Sequence, residues 1–249
     1  MAKYKQECIF GIRAVLEAIN EGKEVEKVML RNGIRGELFQ QLFQAIRSNG
    51  IQFQYVPDEA FKGFADRNHQ GVLAEISPVP YQDLDEVLDD LSTTDKVPFV
   101  IILDRVTDVR NFGAIVRSAE CAGVDAIIIP IKNSAKISSD SLKTSAGALY
   151  YMPICKVNNL KKVIREMKFQ RGFQIIAASE KADKYYTAAD LTVPMALIMG
   201  SEDKGIDEEL LNLSTDKIKI PQRGKIESLN VSAAASVIMF EAVRQREKL

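Results

Sequence analysis

Residues 218–234 read IKIPQRGKIESLNVSAA. A short apolar strand, Ile218 and Ile220, stops at Pro221. A polar turn holding Gly224 follows. Ser228, Leu229, Asn230, Val231 and Ser232 then lead into an apolar helix. Polar side chains at such a junction are costly to bury without partners, so this junction marks either a cap or a site. Two other segments share the plan: LDRVTDVRNFGAIVRSAECAG (103–123) and LIMGSEDKGI (197–206). Three strand-then-polar-loop units predict one α/β domain with a single site built from three loops.

Working outward, FVIILD (99–104), IIIPI (127–131), FQIIAA (173–178), MALIMG (195–200) and DKIKIP (216–221) are continuous apolar runs. Such runs suit parallel strands buried on both faces. Helices are expected over 113–122, 138–145, 160–168, 207–213 and 231–246. Alternating strands and helices imply a parallel sheet with helices on both faces. Ligands of such sheets bind outside the carboxyl ends of the strands. All three motif loops start there, after Leu103, Met199 and Ile220. Residues 9–77 alternate helix signals (12–19, 37–48) with strand signals (25–30, 53–56, 71–76), as in a small α/β/α unit. Pro78, Pro80 and the acidic run 83–95 read as a linker holding one short helix with Leu84, Val87, Leu88 and Leu91. The expected division is therefore 1–77, a linker at 78–98, and 99–249.

Composition narrows the chemistry. The chain has 249 residues, 46% hydrophobic and 27% charged, ordinary for one or two soluble globular domains. No apolar run reaches the roughly 18 residues of a membrane span. The N-terminus lacks a long apolar segment with a small-residue cleavage site. Cys8, Cys121 and Cys155 give neither a disulfide framework nor a CxxC knuckle, so a reducing cytoplasm is expected. His69 is the only histidine. That removes two-histidine zinc sites and restricts a Ser-His-Asp triad to one loop position. No GxxxxGK[ST] loop and no GxGxxG fingerprint appear, which weakens nucleotide hydrolysis and dinucleotide binding. The net charge is −1, so a nucleic-acid partner needs local basic patches. Residues 99–249 supply them, with 22 basic and 18 acidic side chains.

Each candidate residue has two readings. In the first motif, Asn111 and Arg117 flank the expected helix start, near the positive end that favours anions. Alternatively Asn111 caps the helix and Arg117 pairs with Glu120. In the second, Gly200 lets a flat ligand approach the backbone. Ser201 and Glu202 suit either a site or the start of the next helix. In the third, Ile220 and Leu229 offer apolar walls, and Ser228 and Asn230 offer a hydroxyl and an amide. Capping by either explains the same polarity. Ser145 in KTSAGALYYMP is a further candidate, beside Gly147 as a helix terminus. His69, Gln70 and Gly71 form a turn or an RNA contact. Lysines 132, 136 and 143 and the basic run 161–171 are phosphate contacts or solvated helix faces.

Together the three motifs resemble, in order and spacing, those of the SpoU (TrmH) family of RNA ribose methyltransferases. The likeness covers most of the chain: 99–249 is similar to the catalytic domain, and 7–77, with FGIRAVLEAI and HQGV, to the RNA-binding domain of two-domain members. The resemblance implies a parallel α/β domain whose C-terminal segment forms a trefoil knot. It also implies a homodimer, S-adenosyl-L-methionine as cofactor, no metal, and methylation of a ribose 2′-hydroxyl. Asn111, Arg117, Glu202, Ser228 and Asn230 match the catalytic positions. Met199, Gly200, Ile220, Leu229 and Ser145 would hold the cofactor. Members of this layout modify a guanosine in large-subunit ribosomal RNA. Transfer RNA, or an RNA-binding or ribosome-assembly role without turnover, stays open. Val109 replaces a common proline, and Asp203, Lys204, Lys225 and Glu227 are departures in the loops.

Overall fold

The structure, a computed structural model, describes residues 8–226 and 228–247. Glu227, the residues before Cys8 and the last two lie outside the described residues. The chain divides into two compact units, Met1–Pro80 with Lys136–Ser139, and Tyr81–Ala135 with Asp140–Leu249.

The first unit is a four-stranded sheet of β1 (Cys8–Phe10), β2 (Val25–Arg31), β3 (Phe53–Val56) and β4 (Val72–Ile76), in the order β1-β4-β2-β3. β4 runs antiparallel to both neighbours. Helices α1 (Ile12–Asn20) and α2 (Glu37–Ser48) bury Val15, Ile19, Leu42 and Ile46 against Val28, Leu30, Val72 and Ala74. Leu73, of opposite parity, joins Val56 and Phe61 on the other face. The turn reading of His69–Gly71 holds. Gln70 and Gly71 take positive φ, and the His69 ring stacks on Phe61 with centroids 4.8 Å apart. Gln70 Oε1 accepts the Ile12 N–H at 3.1 Å, capping α1 where Gly11 has no side chain to do so.

The second unit is a seven-stranded sheet. Its strands are β5 (Phe99–Leu103), β6 (Ala126–Pro130), β7 (Ile154–Val157), β8 (Gln174–Ala178), β9 (Lys184–Tyr185), β10 (Met195–Met199) and β11 (Asp216–Lys219). The order is β7-β6-β5-β10-β8-β11-β9, and every pairing is parallel. The apolar runs produce this because both faces are covered. Val100, Ile102, Ile128, Ala196 and Ile198 pack with Leu88 of α3 (Leu84–Ser92), Ile164 of α6 (Leu160–Phe169) and Leu210 of α7 (Glu208–Leu213). The alternate residues Ile101, Ile127 and Leu197 are equally buried. α3, in the stretch expected as a linker, is tied down by Arg171, whose guanidinium donates to Asp85 and Asp89 at 3.2 and 2.6 Å.

Three local expectations change. α4 (Val109–Cys121) starts four residues earlier than expected, because Asp108 is its N-cap and accepts the N–H groups of Arg110 and Asn111, both at 2.8 Å. Asn111 is thus inside the first turn rather than its cap. Gly113 does not open the helix against the sheet. It sits within α4, where a Cβ would come within 2.7 Å of Thr144 and 3.0 Å of the Ser141 carbonyl, so its bareness admits α5 (Ser139–Thr144). Ser201 and Glu202 do not start α7, which is capped by Asp207.

α8 (Val231–Arg246) runs along the strand direction, from the carboxyl ends of the strands to their amino ends. Asn230 caps it beside the carboxyl ends of the strands. At its far end Arg246 donates to the carbonyls of Val97, Pro98, Leu191 and Val193, on the segments entering β5 and β10.

Candidate active site

Asn230 joins the three motifs. Its Oδ1 accepts the N–H groups of Ser232 and Ala233 at 3.0 and 3.4 Å and the Ser232 hydroxyl at 2.6 Å. This capping fixes which end of the amide is the nitrogen. The Nδ2 therefore faces outward, donating to Asn111 Oδ1 at 2.9 Å and to the Glu202 carboxylate. Glu202 Oε1 also lies 3.5 Å from the Val231 N–H. Residues 119 and 28 positions away in sequence thus share one amide group. All three side chains are at least partly open to solvent, which suits contact with a large substrate.

Next to this polar chain is a cavity of about 440 Å³. It opens at the carboxyl ends of β8, β10 and β11, where the topology of a parallel sheet places ligands. Its apolar walls are Met199, Ile218, Ile220, Leu229 and Val231; Gly200, Ser228, Glu202 and Asn230 complete the lining. The capping role falls to Asn230, and Ser228 is left facing the cavity. Gly200 is bare for a different reason than expected. A Cβ there would run into the backbone of Gly205 and Ile206, so the missing side chain lets the loop fold back on itself. Among the described residues, none bonds the backbone groups of Gly200 or Leu229, which leaves donors and acceptors for a flat heterocycle. A volume of this size with apolar walls and unpaired backbone groups fits a nucleoside-bearing cofactor.

A fourth wall had not been expected. Ala178, at the end of β8, and Ser179, Glu180 and Lys181 after it also line the cavity. FQIIAA followed by SEK is another apolar strand running into a polar loop, but no glycine marks it.

Two expected residues stand apart. Arg117 is exposed on α4, and its side chain makes no hydrogen bond or ion pair with any described residue. The pairing with Glu120 is absent. Six helical residues turn through roughly 600°, so Arg117 and Asn111 leave different faces of α4. Ser145 is not part of the cavity. It is fully buried, and its hydroxyl donates to the Leu142 carbonyl at 3.0 Å near the end of α5. Packing against Gly113, rather than a ligand, accounts for it.

Among the described residues, no helix is long and apolar enough to cross a membrane, and no cluster of three acidic, histidine or cysteine side chains is placed to hold a metal.

Comparisons with known proteins bear on the family and the fold. The model of the SpoU rRNA Methylase family matches residues 98–240, and that of the RNA 2′-O ribose methyltransferase substrate-binding domain matches 8–82. YacO of Bacillus subtilis, named for the TrmH family of tRNA/rRNA methyltransferases, is 32% identical over 239 residues, covering 96% of this chain and 95% of that protein. A Staphylococcus haemolyticus protein with the same family name is 34% identical over 241 residues, covering 97% and 96%. Among solved structures, the SpoU methyltransferase AviRb from Streptomyces viridochromogenes, in complex with the cofactor AdoMet, matches with a TM-score of 0.62 at 23% identity, over 97% of this chain and 91% of that one.

Proposed function

The chain belongs to the SpoU rRNA methylase family, and from that premise we propose that it transfers a methyl group from S-adenosyl-L-methionine to a ribose 2′-hydroxyl of RNA. The observation that carries this reading is the Asn230 amide, bonded to both Asn111 and Glu202 at the rim of a cavity with unpaired backbone groups. Gly200, Ile220 and Leu229 would hold the adenosyl group, with Met199 as a wall. When bound, the cofactor supplies an electrophilic methyl on a sulfonium.

The chain's own residues do the rest. Displacement at the methyl carbon needs the ribose oxygen held in line, roughly 3 Å away. Asn111, Asn230 and Glu202 form a fixed polar rim, and the Ser228 hydroxyl beside it orients the sugar. Arg117 does not act as a base, because a guanidinium keeps its proton below about pH 12. From its own exposed face of α4 it binds an RNA phosphate. As the new oxygen–methyl bond forms, the sulfur–methyl bond would break, and the hydroxyl proton passes late to solvent. No metal has a part in this scheme.

The substrate proposed is a guanosine of large-subunit ribosomal RNA. The family's name, SpoU rRNA methylase, supports the ribosomal choice; the choice of guanosine rests on the two-domain layout. Transfer RNA is the alternative, because the relatives are named for both RNAs. A homodimer goes with the same reading. Val237 and Phe240, 37% and 48% exposed on α8, form an apolar strip that a second copy would cover. The trefoil knot and a cytoplasmic place of action belong to the same proposal, with the family likeness as their support.

The test is incubation with methyl-labelled cofactor and separated ribosomal and transfer RNA, followed by nucleoside mass spectrometry. A 2′-O-methylated guanosine from ribosomal RNA supports the proposal. Label in transfer RNA replaces the substrate. RNA binding with no label leaves only an assembly role.

A further inference from the structure

Glu202 rides on a loop whose two ends are held by one residue. Asp104 follows β5 and is 5% exposed. Its N–H donates to the Met199 carbonyl at 2.8 Å, extending the β5–β10 ladder to the point where the 200–207 loop leaves the sheet. Its carboxylate Oδ2 accepts the N–H of Asp207 at 2.7 Å, where the loop ends and α7 is capped. Arg105 fills the remaining acceptor sites: Nε lies 3.1 Å from Oδ1 and Nη2 2.9 Å from Oδ2. The same Nη2 reaches the Gly205 carbonyl, inside the loop, at 3.5 Å.

A side chain doubles back onto its neighbour's carboxylate here because Arg105 has φ +58°, left-handed backbone that a residue with a Cβ rarely adopts. Strain of this kind persists where surrounding contacts outweigh it. The contact here is a fork on a carboxylate, among the strongest hydrogen-bonded pairings. Between its pinned ends the loop closes on itself: Ser201 and Gly205 exchange backbone bonds of 3.2 and 2.9 Å. Glu202, within that closed turn, meets Asn230. Neither Asp104 nor Arg105 lines the cavity.

We propose that Asp104 and Arg105 are positioning residues, clamping the 200–207 loop so that Glu202 and the wall at Gly200 stand in register with Asn230. The proposal rests on reading the cavity as the cofactor site. Without the clamp, the β10 end of the loop stays on the sheet while the α7 end is free to swing. Glu202 then loses its fixed approach to the Asn230 amide.

The test compares the full chain with Arg105→Gly, which adopts left-handed backbone freely but has no fork, and with Arg105→Lys, which keeps charge alone. Asp104→Asn is a second probe of the same pairing. Hydrogen exchange is followed across residues 200–207 without ligand, and S-adenosyl-L-methionine binding by calorimetry. Arg105→Gly is expected to speed exchange in that segment about tenfold, with α4 and α8 unchanged, and to weaken cofactor binding about tenfold. Arg105→Lys should recover part of both. Wild-type exchange in 200–207 together with wild-type affinity in Arg105→Gly would overturn the clamp. If the wild-type chain itself binds no cofactor, the cavity reading fails, and the exchange comparison still decides the clamp.

Discussion

Replacing Asn230 by serine separates two tasks that one side chain performs. Serine is also a good N-cap, so the helix end loses only a few tenths of a kcal/mol. What disappears is the Nδ2 donor and its bonds to Asn111 and Glu202. Two solvent-accessible hydrogen bonds, one to a charged group, contribute roughly 1 kcal/mol together. For a unit of this size that lowers Tm by about 2–4 °C. Asn230→Ala loses the cap as well, which adds about 1 kcal/mol and doubles the shift. Turnover should behave differently. Both variants leave Glu202 and Asn111 unlinked, so both should lose about a hundredfold in single-turnover methyl transfer, or roughly 2.7 kcal/mol of transition-state positioning. Calorimetric melting and a rapid-quench assay on the same preparations give the comparison. Equal melting of the two variants would refute the capping argument. Near wild-type turnover in Asn230→Ser would refute the role of the shared amide.

Gly200→Ala should destabilise by about 1–3 kcal/mol and abolish measurable cofactor binding, because its Cβ meets backbone that has no rotamer to move; chemical denaturation and calorimetry check both. Arg246→Lys should cost about 2–4 kcal/mol in urea unfolding, since one ammonium cannot satisfy four carbonyls on two separate segments. Burial pushes the Cys155 thiol up to about 12. Between the ordinary thiol value and that pH the unfolded chain gives up a proton the folded chain keeps, so stability should fall as pH rises through this window. At pH 8 an alkylating reagent should label exposed Cys121 and spare Cys155, as read by intact mass.

Long apolar periodicity made the architecture legible. The strands at Phe99–Leu103 and Met195–Met199 are five-residue runs buried throughout, and nothing in them suggests another state. Cys8–Phe10, Ile154–Val157 and Lys184–Tyr185 were missed because they are short edge strands, with too few residues to show a period. The start of α4 is ambiguous in sequence because Asp108 and Asn111, three positions apart, both suit the cap, and the extended backbone and side-chain bonds of Asp108 settle the choice. The meeting of Asn111, Glu202 and Asn230 was foreseen from three similar junctions and a family likeness. The separation of Arg117 from Asn111 was not, because it depends on where the helix begins. The contact from Asp104 to Asp207 spans 103 positions and depends on one left-handed residue, which no local pattern announces.

The order in which a ribosome delivers these segments sets when the pocket comes into being. Strand β5 and the Asn111 turn emerge first, the Glu202 loop roughly a hundred residues later, and Asn230 after that. The helix that Asn230 begins is held at its other end by Arg246. A nascent polypeptide still lacking that arginine has most of its sheet but no anchored wall for the donor. At about 5–20 residues per second, the first unit has several seconds to fold alone before the last piece arrives. A chain that stops short of Arg246 leaves the helix behind Asn230 without its far anchor.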